Sequence, residues 1–166
     1  MKVGGQRRTR TVLAELARHI PVPWSIDALA ANLAAARGRP IQLLAWSFPE
    51  GDGQPSGAWI PTAQADYIFY NRTATPTGRD QIIGHELGHL LLEHTPSLGD
   101  APAGLVQALA PALPPELARR FLARTGYQAE QEAQAEEFGT RLVRLGASKP
   151  RPGGPDELGR LTEALR

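Results

Sequence analysis

The stretch GRDQIIGHELGHLLLEH, residues 78–94, sets two histidines four positions apart with a glutamate directly after the first. Helical residues four apart share one face, so His85 and His89 can offer two imidazole nitrogens to one ion. Glu86 projects from the adjoining side, within reach of a water held at that ion. Two neutral nitrogen ligands, an open position and a carboxylate that takes a proton are what a metal-activated water requires. The competing reading is a pair of core histidines bonded to backbone. Ile83, Leu87, Leu90 and Leu91 fall at i, i+4, i+7 and i+8, so the same helix carries a buried face. Gly88, inside the motif, costs about 1 kcal/mol of helix stability against alanine. That cost points to close approach by another element.

A site of this kind needs a third ligand. The chain has four histidines, His19, His85, His89 and His94, and no cysteine. His19 ends an N-terminal helix and has no partner pattern. His94 lies five residues after His89, off the ligand face, and reads as an end-of-helix cation favoured by the helix dipole. Without cysteine there is no thiolate ligand, no disulfide and no cysteine nucleophile. A carboxylate is therefore expected, as in zinc sites built from two histidines and one glutamate.

The elements that must position these groups are legible in outline. RTVLAELARHI spaces Val12, Leu13, Leu16 and Ile20 helically, and Pro21 and Pro23 stop it. The basic residues before it (Lys2, Arg7, Arg8, Arg10) read as a solvated tail. Ser25 caps a second helix that ends near Gly38. Three extended segments follow, at 41–48, 57–62 and 65–71, with Gly/Pro-rich and AQAD turns between them. They predict a small antiparallel sheet with ADYIFYN at its edge. Thr77, with Asp80 three residues on, is the expected cap of the motif helix, taken as 77–94. A Pro/Ala-rich insert, 95–118, separates it from a strong late helix at 128–145, and DELGRLTEALR reads as a last short helix. Helices around one small sheet make an α+β domain.

The 166 residues suit a single domain, 1–166, with its helical N-terminal part at 7–38 and its sheet at 41–71. A net charge of +1 implies no nucleic-acid or strongly acidic partner. No apolar run reaches membrane-spanning length, and MKVGGQRRTR has no apolar core behind its charges, so neither a membrane span nor a signal peptide is expected. A cytoplasmic location is the expectation that follows.

IIGHELGHLLLEH followed by Glu132, Ala135, Phe138 and Gly139 in an E-x-x-A-x-x-F-G helix resembles the ImmA/IrrE family of metallo-endopeptidases. The likeness covers about residues 41–145. HELGH is shared with many zincins; its combination with the late helix is the specific part. The resemblance implies a zincin-like fold, a bound zinc or another divalent ion such as manganese, and a helix-turn-helix repressor as the protein that is cut or inactivated. That activity would release stress-response or mobile-element genes. Gly139 stands where alanine is usual, Gln81 where phenylalanine is frequent, and RLVRLG replaces an apolar, proline-ended finish.

In that light Glu132 is the expected third ligand among five acids: Glu116, Glu130, Glu132, Glu136 and Glu137. Glu132, Ala135, Gly139 and Leu142 form one stripe at i, i+3, i+7 and i+10. Its small residues would let the late helix lie close to the metal helix near Gly88. Glu136, one turn on, is suited to holding a ligand histidine through its other nitrogen. In the competing reading Glu132 is a surface acid and water completes the site. Glu86 is then the base of a hydrolase; Tyr67, Tyr70 and Tyr127 are open candidates for stabilising the oxyanion. The alternative function is a non-proteolytic, metal-bound regulator or toxin-like partner that acts by binding, and a weaker one is hydrolysis of a small amide.

Overall fold

The computed structural model describes residues 2–48, 52, 55–98 and 114–149. Its first helix, α1 (Lys2–Leu16), begins earlier than the apolar spacing predicts. The basic start is therefore helical rather than a free tail. Gly5 lies against the side chain of Gln134, Thr9 is fully buried, and Arg8 pairs with Glu93 at 2.8 Å. Packing of the stripe that continues through Leu13 and Leu16 holds these turns, where two glycines disfavour a helix.

A 3-10 turn (Ala17–His19) leads to α2 (Ile26–Arg37). The Ser25 hydroxyl accepts from the Ala28 amide at 3.2 Å, and Gly38 closes the helix at φ 63°, as the capping rules predict.

Strands β1 (Ile41–Trp46), β2 (Gly57–Pro61) and β3 (Asp66–Asn71) form a sheet in the order β1-β3-β2. β2 and β3 make an antiparallel hairpin, and β1 pairs with β3 in parallel. The sheet is mixed, which corrects the antiparallel expectation, and the strand expected at the edge is central. Successive side chains of a strand point to opposite faces, yet Ile68 and Phe69 are both fully buried. Both faces of β3 are thus covered, and its two edges are paired.

Asp66, at the start of β3, ties the sheet to the end of α2. Its carboxylate accepts from Trp59 Nε1 at 3.0 Å, Arg37 at 3.0 Å and Arg39 at 2.9 Å. Burial pushes this carboxyl up, but the three hydrogen bonds outweigh it and hold the group below the ordinary carboxylate range.

The motif helix is α3 (Pro76–Leu91). Its cap is Thr75, whose hydroxyl accepts from the Gly78 amide at 3.1 Å, not Thr77. Pro76 has no N–H to lose and a φ already set for a first helical residue, so the cap falls one position before it. Asp80, expected to complete that cap, accepts from Trp24 Nε1 at 2.9 Å instead. Beyond α3 come β4 (Ser97–Leu98), α4 (Pro115–Ala123), β5 (Arg124–Gly126) and α5 (Ala129–Ala147), with β4 and β5 paired antiparallel. The expected last helix and most of the Pro/Ala-rich insert lie outside the described residues.

One apolar cluster joins the helices to one sheet face through Leu13, Leu29, Ile68, Leu87, Phe138 and Leu142. A second, with Phe48, Ile60, Phe69 and Leu117, covers the other face. Five α-helices and this small sheet make the described residues α+β. None of the described helices is long and apolar enough to cross a membrane.

Candidate metal centre

Small residues decide how near α5 comes to α3. A Cβ built on Gly88 would stand 3.1 Å from the Ala135 Cα, and one on Gly84 would stand 3.3 Å from the Gly139 Cα. Gly84 and Gly88 of α3 therefore face the small residues of the α5 stripe. At this separation a glutamate on α5 reaches the histidines of α3.

Glu132 Oε2 lies 3.1 Å from His85 Nε2 and 3.7 Å from His89 Nε2, and the two nitrogens are 3.0 Å apart. All three donor atoms fall within 4.8 Å of one another. Ligands placed tetrahedrally at about 2.0–2.2 Å from zinc stand about 3.3–3.6 Å apart, so this set fits a divalent ion with small movements. Two imidazoles and a carboxylate suit zinc and its neighbours in softness. His89 is 1% exposed, whereas the Glu132 side chain is 45% exposed. The cluster is dry on one side and open on the other, which leaves access for water and substrate.

Glu86 is buried, and its Oε1 stands 3.0 Å from where a Cβ on Gly57 would lie. The first residue of β2 thus adjoins the carboxylate, and a larger side chain there would displace it. Glu136 Oε2 is 3.3 Å from His85 Nδ1, on an exposed side chain. Glu137 and Glu116 pair with Arg141 and Arg120 on their own helices at 2.7 Å and 3.2 Å, and Glu130 is exposed. Of the tyrosines, Tyr70 lies under the Arg79 guanidinium and Tyr67 packs with the second apolar cluster. Tyr127 stacks on the His89 ring, with centroids 3.6 Å apart and planes 10° from parallel.

His94 departs from its expected role. α3 ends at Leu91, and Glu93, at φ 57°, turns the chain so that the His94 amide donates to the His89 carbonyl at 2.9 Å. The ring is buried, with Nδ1 3.0 Å from His89 Nδ1 and Nε2 2.9 Å from Gln134 Oε1. Burial pushes its pKa below the usual histidine range; the Gln134 bond opposes this and Arg8 adds to it. His94 is a buried side chain hydrogen-bonded through both ring nitrogens, not an exposed end-of-helix group. The sequence carries one signal for it, a third histidine within a turn and a half of the motif. A left-handed turn at a glutamate has no sequence mark, and neither Gln134 nor the Tyr127 stack stood out.

The family model of the IrrE N-terminal-like domain matches residues 36–143, from the end of α2 through most of α5. No curated protein and no solved structure gives a significant match. With the family match spanning both site helices, the chain belongs to this family of peptidases, whose activity is that of a metallopeptidase.

Proposed function

We propose that this member of the IrrE N-terminal-like family is a divalent-metal-dependent endopeptidase that makes a limited cut in a protein partner, a helix-turn-helix transcriptional repressor. The observation that carries the chemistry is the convergence of the His85, His89 and Glu132 donor atoms beside a buried Glu86. Those three residues would hold the ion, zinc or another divalent metal such as manganese. When bound, the ion supplies a Lewis acid for the scissile carbonyl and makes a water more acidic. Glu86 takes the proton of the attacking water and passes it to the departing amine. Its confinement against Gly57 sets the position from which it does so. Glu136 steadies His85 through the ring nitrogen that faces away from Glu132.

An extended substrate segment would align along β2, an edge of the three-stranded sheet whose first residue adjoins Glu86. The repressor as partner rests on the family resemblance. The test is incubation of the metal-loaded protein with candidate helix-turn-helix repressors, with and without chelator, read by intact mass. One cut that chelator abolishes and that Glu86→Gln does not make is the expected result. A repressor held tightly but left whole by the metal-loaded protein would overturn the peptidase reading in favour of a regulator that binds.

A further inference from the structure

His89 is the more confined of the two motif histidines, and everything around its ring fixes one orientation. Tyr127 stacks on its face, and its Nε2 points to His85 and Glu132. Its Nδ1 meets Nδ1 of His94 at 3.0 Å, and His94 Nε2 meets Gln134 Oε1 at 2.9 Å. We propose that His94 and Gln134 are positioning residues: a buried hydrogen-bond relay that decides which nitrogen of His89 offers its lone pair to the ion. This inference rests on the metal-site reading above.

Two facing Nδ1 atoms can share one proton, not two and not none. The relay therefore has two self-consistent polarities. In the first, His89 Nδ1–H donates to His94 Nδ1, and His94 Nε2–H donates to the Gln134 carbonyl oxygen. His89 then presents an unprotonated Nε2 toward His85 and Glu132. In the second, the Gln134 amide group donates to His94 Nε2, His94 Nδ1–H donates to His89, and His89 Nε2 carries a proton that blocks a cation. Only the first polarity is competent for metal, and it is the one in which Gln134 turns its oxygen to His94, as observed.

Three features hold the relay in place. Glu93 takes up left-handed backbone geometry, unfavourable for a residue other than glycine, and so returns His94 to the helix it has just left. Gly5 of α1 lies against the nitrogen end of the Gln134 amide, where a Cβ would collide with it. Arg8 of α1 grips Glu93. The N-terminal helix thus touches both ends of the relay, at Gln134 through Gly5 and at Glu93 through an exposed ion pair. His85 has a different arrangement: the exposed Glu136 beside its Nδ1 is a carboxylate, which can only accept.

The test combines zinc affinity, measured by competition with a chromophoric chelator, with imidazole 15N spectra of the full chain. His94→Phe removes the acceptor and should weaken zinc binding about 10- to 100-fold, the scale for a lost partner of a metal-bound imidazole. His94→Asn places an amide oxygen where Nδ1 stood and should restore affinity to within a few-fold of wild type. In the zinc-loaded wild type, His94 should carry its proton on Nε2 alone. Unchanged affinity in His94→Phe, or a proton on His94 Nδ1 in the zinc form, would overturn the relay. Should the wild type take up no zinc, the metal reading fails, and the metal-free spectra decide the relay by themselves. One proton between the two Nδ1 atoms supports it, and two or none sinks it.

Discussion

A Cβ built on Gly139 would stand 2.8 Å from the backbone nitrogen of His85, so α5 rests directly on the peptide that carries the first motif histidine. The obstacle is backbone, which cannot swing aside as a side chain would. Gly139→Ala should therefore push the two helices apart despite the gain in helix propensity of about 1 kcal/mol. Overpacking of this kind costs about 1–3 kcal/mol, so a net loss of stability is expected, together with weaker zinc binding as Glu132 recedes. Thermal denaturation and a zinc titration check it; a higher melting temperature with unchanged affinity would show that the contact yields.

Glu86→Gln keeps the size of the side chain and removes the base. Metal content should stay near wild type while cleavage falls by at least about a hundredfold, the scale of general-base contributions. Metal analysis and a cleavage time course read the two quantities separately. Normal cleavage by the variant would end the hydrolase mechanism.

His85→Ala, His89→Ala and Glu132→Ala should each lose the stabilisation that zinc confers. Binding to the folded state alone adds about 2.7 kcal/mol when free ion is at 100 times its dissociation constant. Melting curves with zinc and with chelator should diverge for the wild type and coincide for the three variants. A zinc-dependent shift that survives in Glu132→Ala would remove that residue from the ligand set.

Asp66 predicts a pH dependence remote from the metal site. Its folded pKa lies below the ordinary aspartate value, so its contribution to stability is present above that value and is lost as pH falls through the folded one. Asp66→Asn should destabilise the protein by about 2 kcal/mol at neutral pH, toward the low end for broken ion pairs because both arginines are partly exposed. The gap between wild type and variant should close as pH drops below about 4. Denaturant titrations along the pH series measure it, and a gap independent of pH would contradict the assignment.

What could be read in the sequence was local. Ser25 and Gly38 bound α2 because capping depends on a few neighbouring residues. The stripe from Glu132 to Leu142 faces α3 because helical periodicity carries along a single element. Strand order was not local: ADYIFYN looks the same at an edge or in the centre, and only the return of β1 to its side decides. Pro76 moved the cap of α3 through a preference that competed with an equally plausible threonine two residues on. The place of His94 is not legible because the left-handed turn before it falls on Glu93 rather than on a glycine, and its ring is held by His89 and by Gln134, 40 residues on.

The pairing of Ser97–Leu98 with Arg124–Gly126 pinches the chain between the two site helices. The segment this pairing encloses includes α4, whose Leu117 and Ala118 are buried in the second apolar cluster. The packing of α5 on α3, not the path of the chain between them, sets where Glu132 meets His85 and His89. The donor atoms thus depend on Gly84, Gly88, Ala135 and Gly139, all outside the segment that β4 and β5 enclose, so the site is built by the contact of two helices rather than by the chain that joins them.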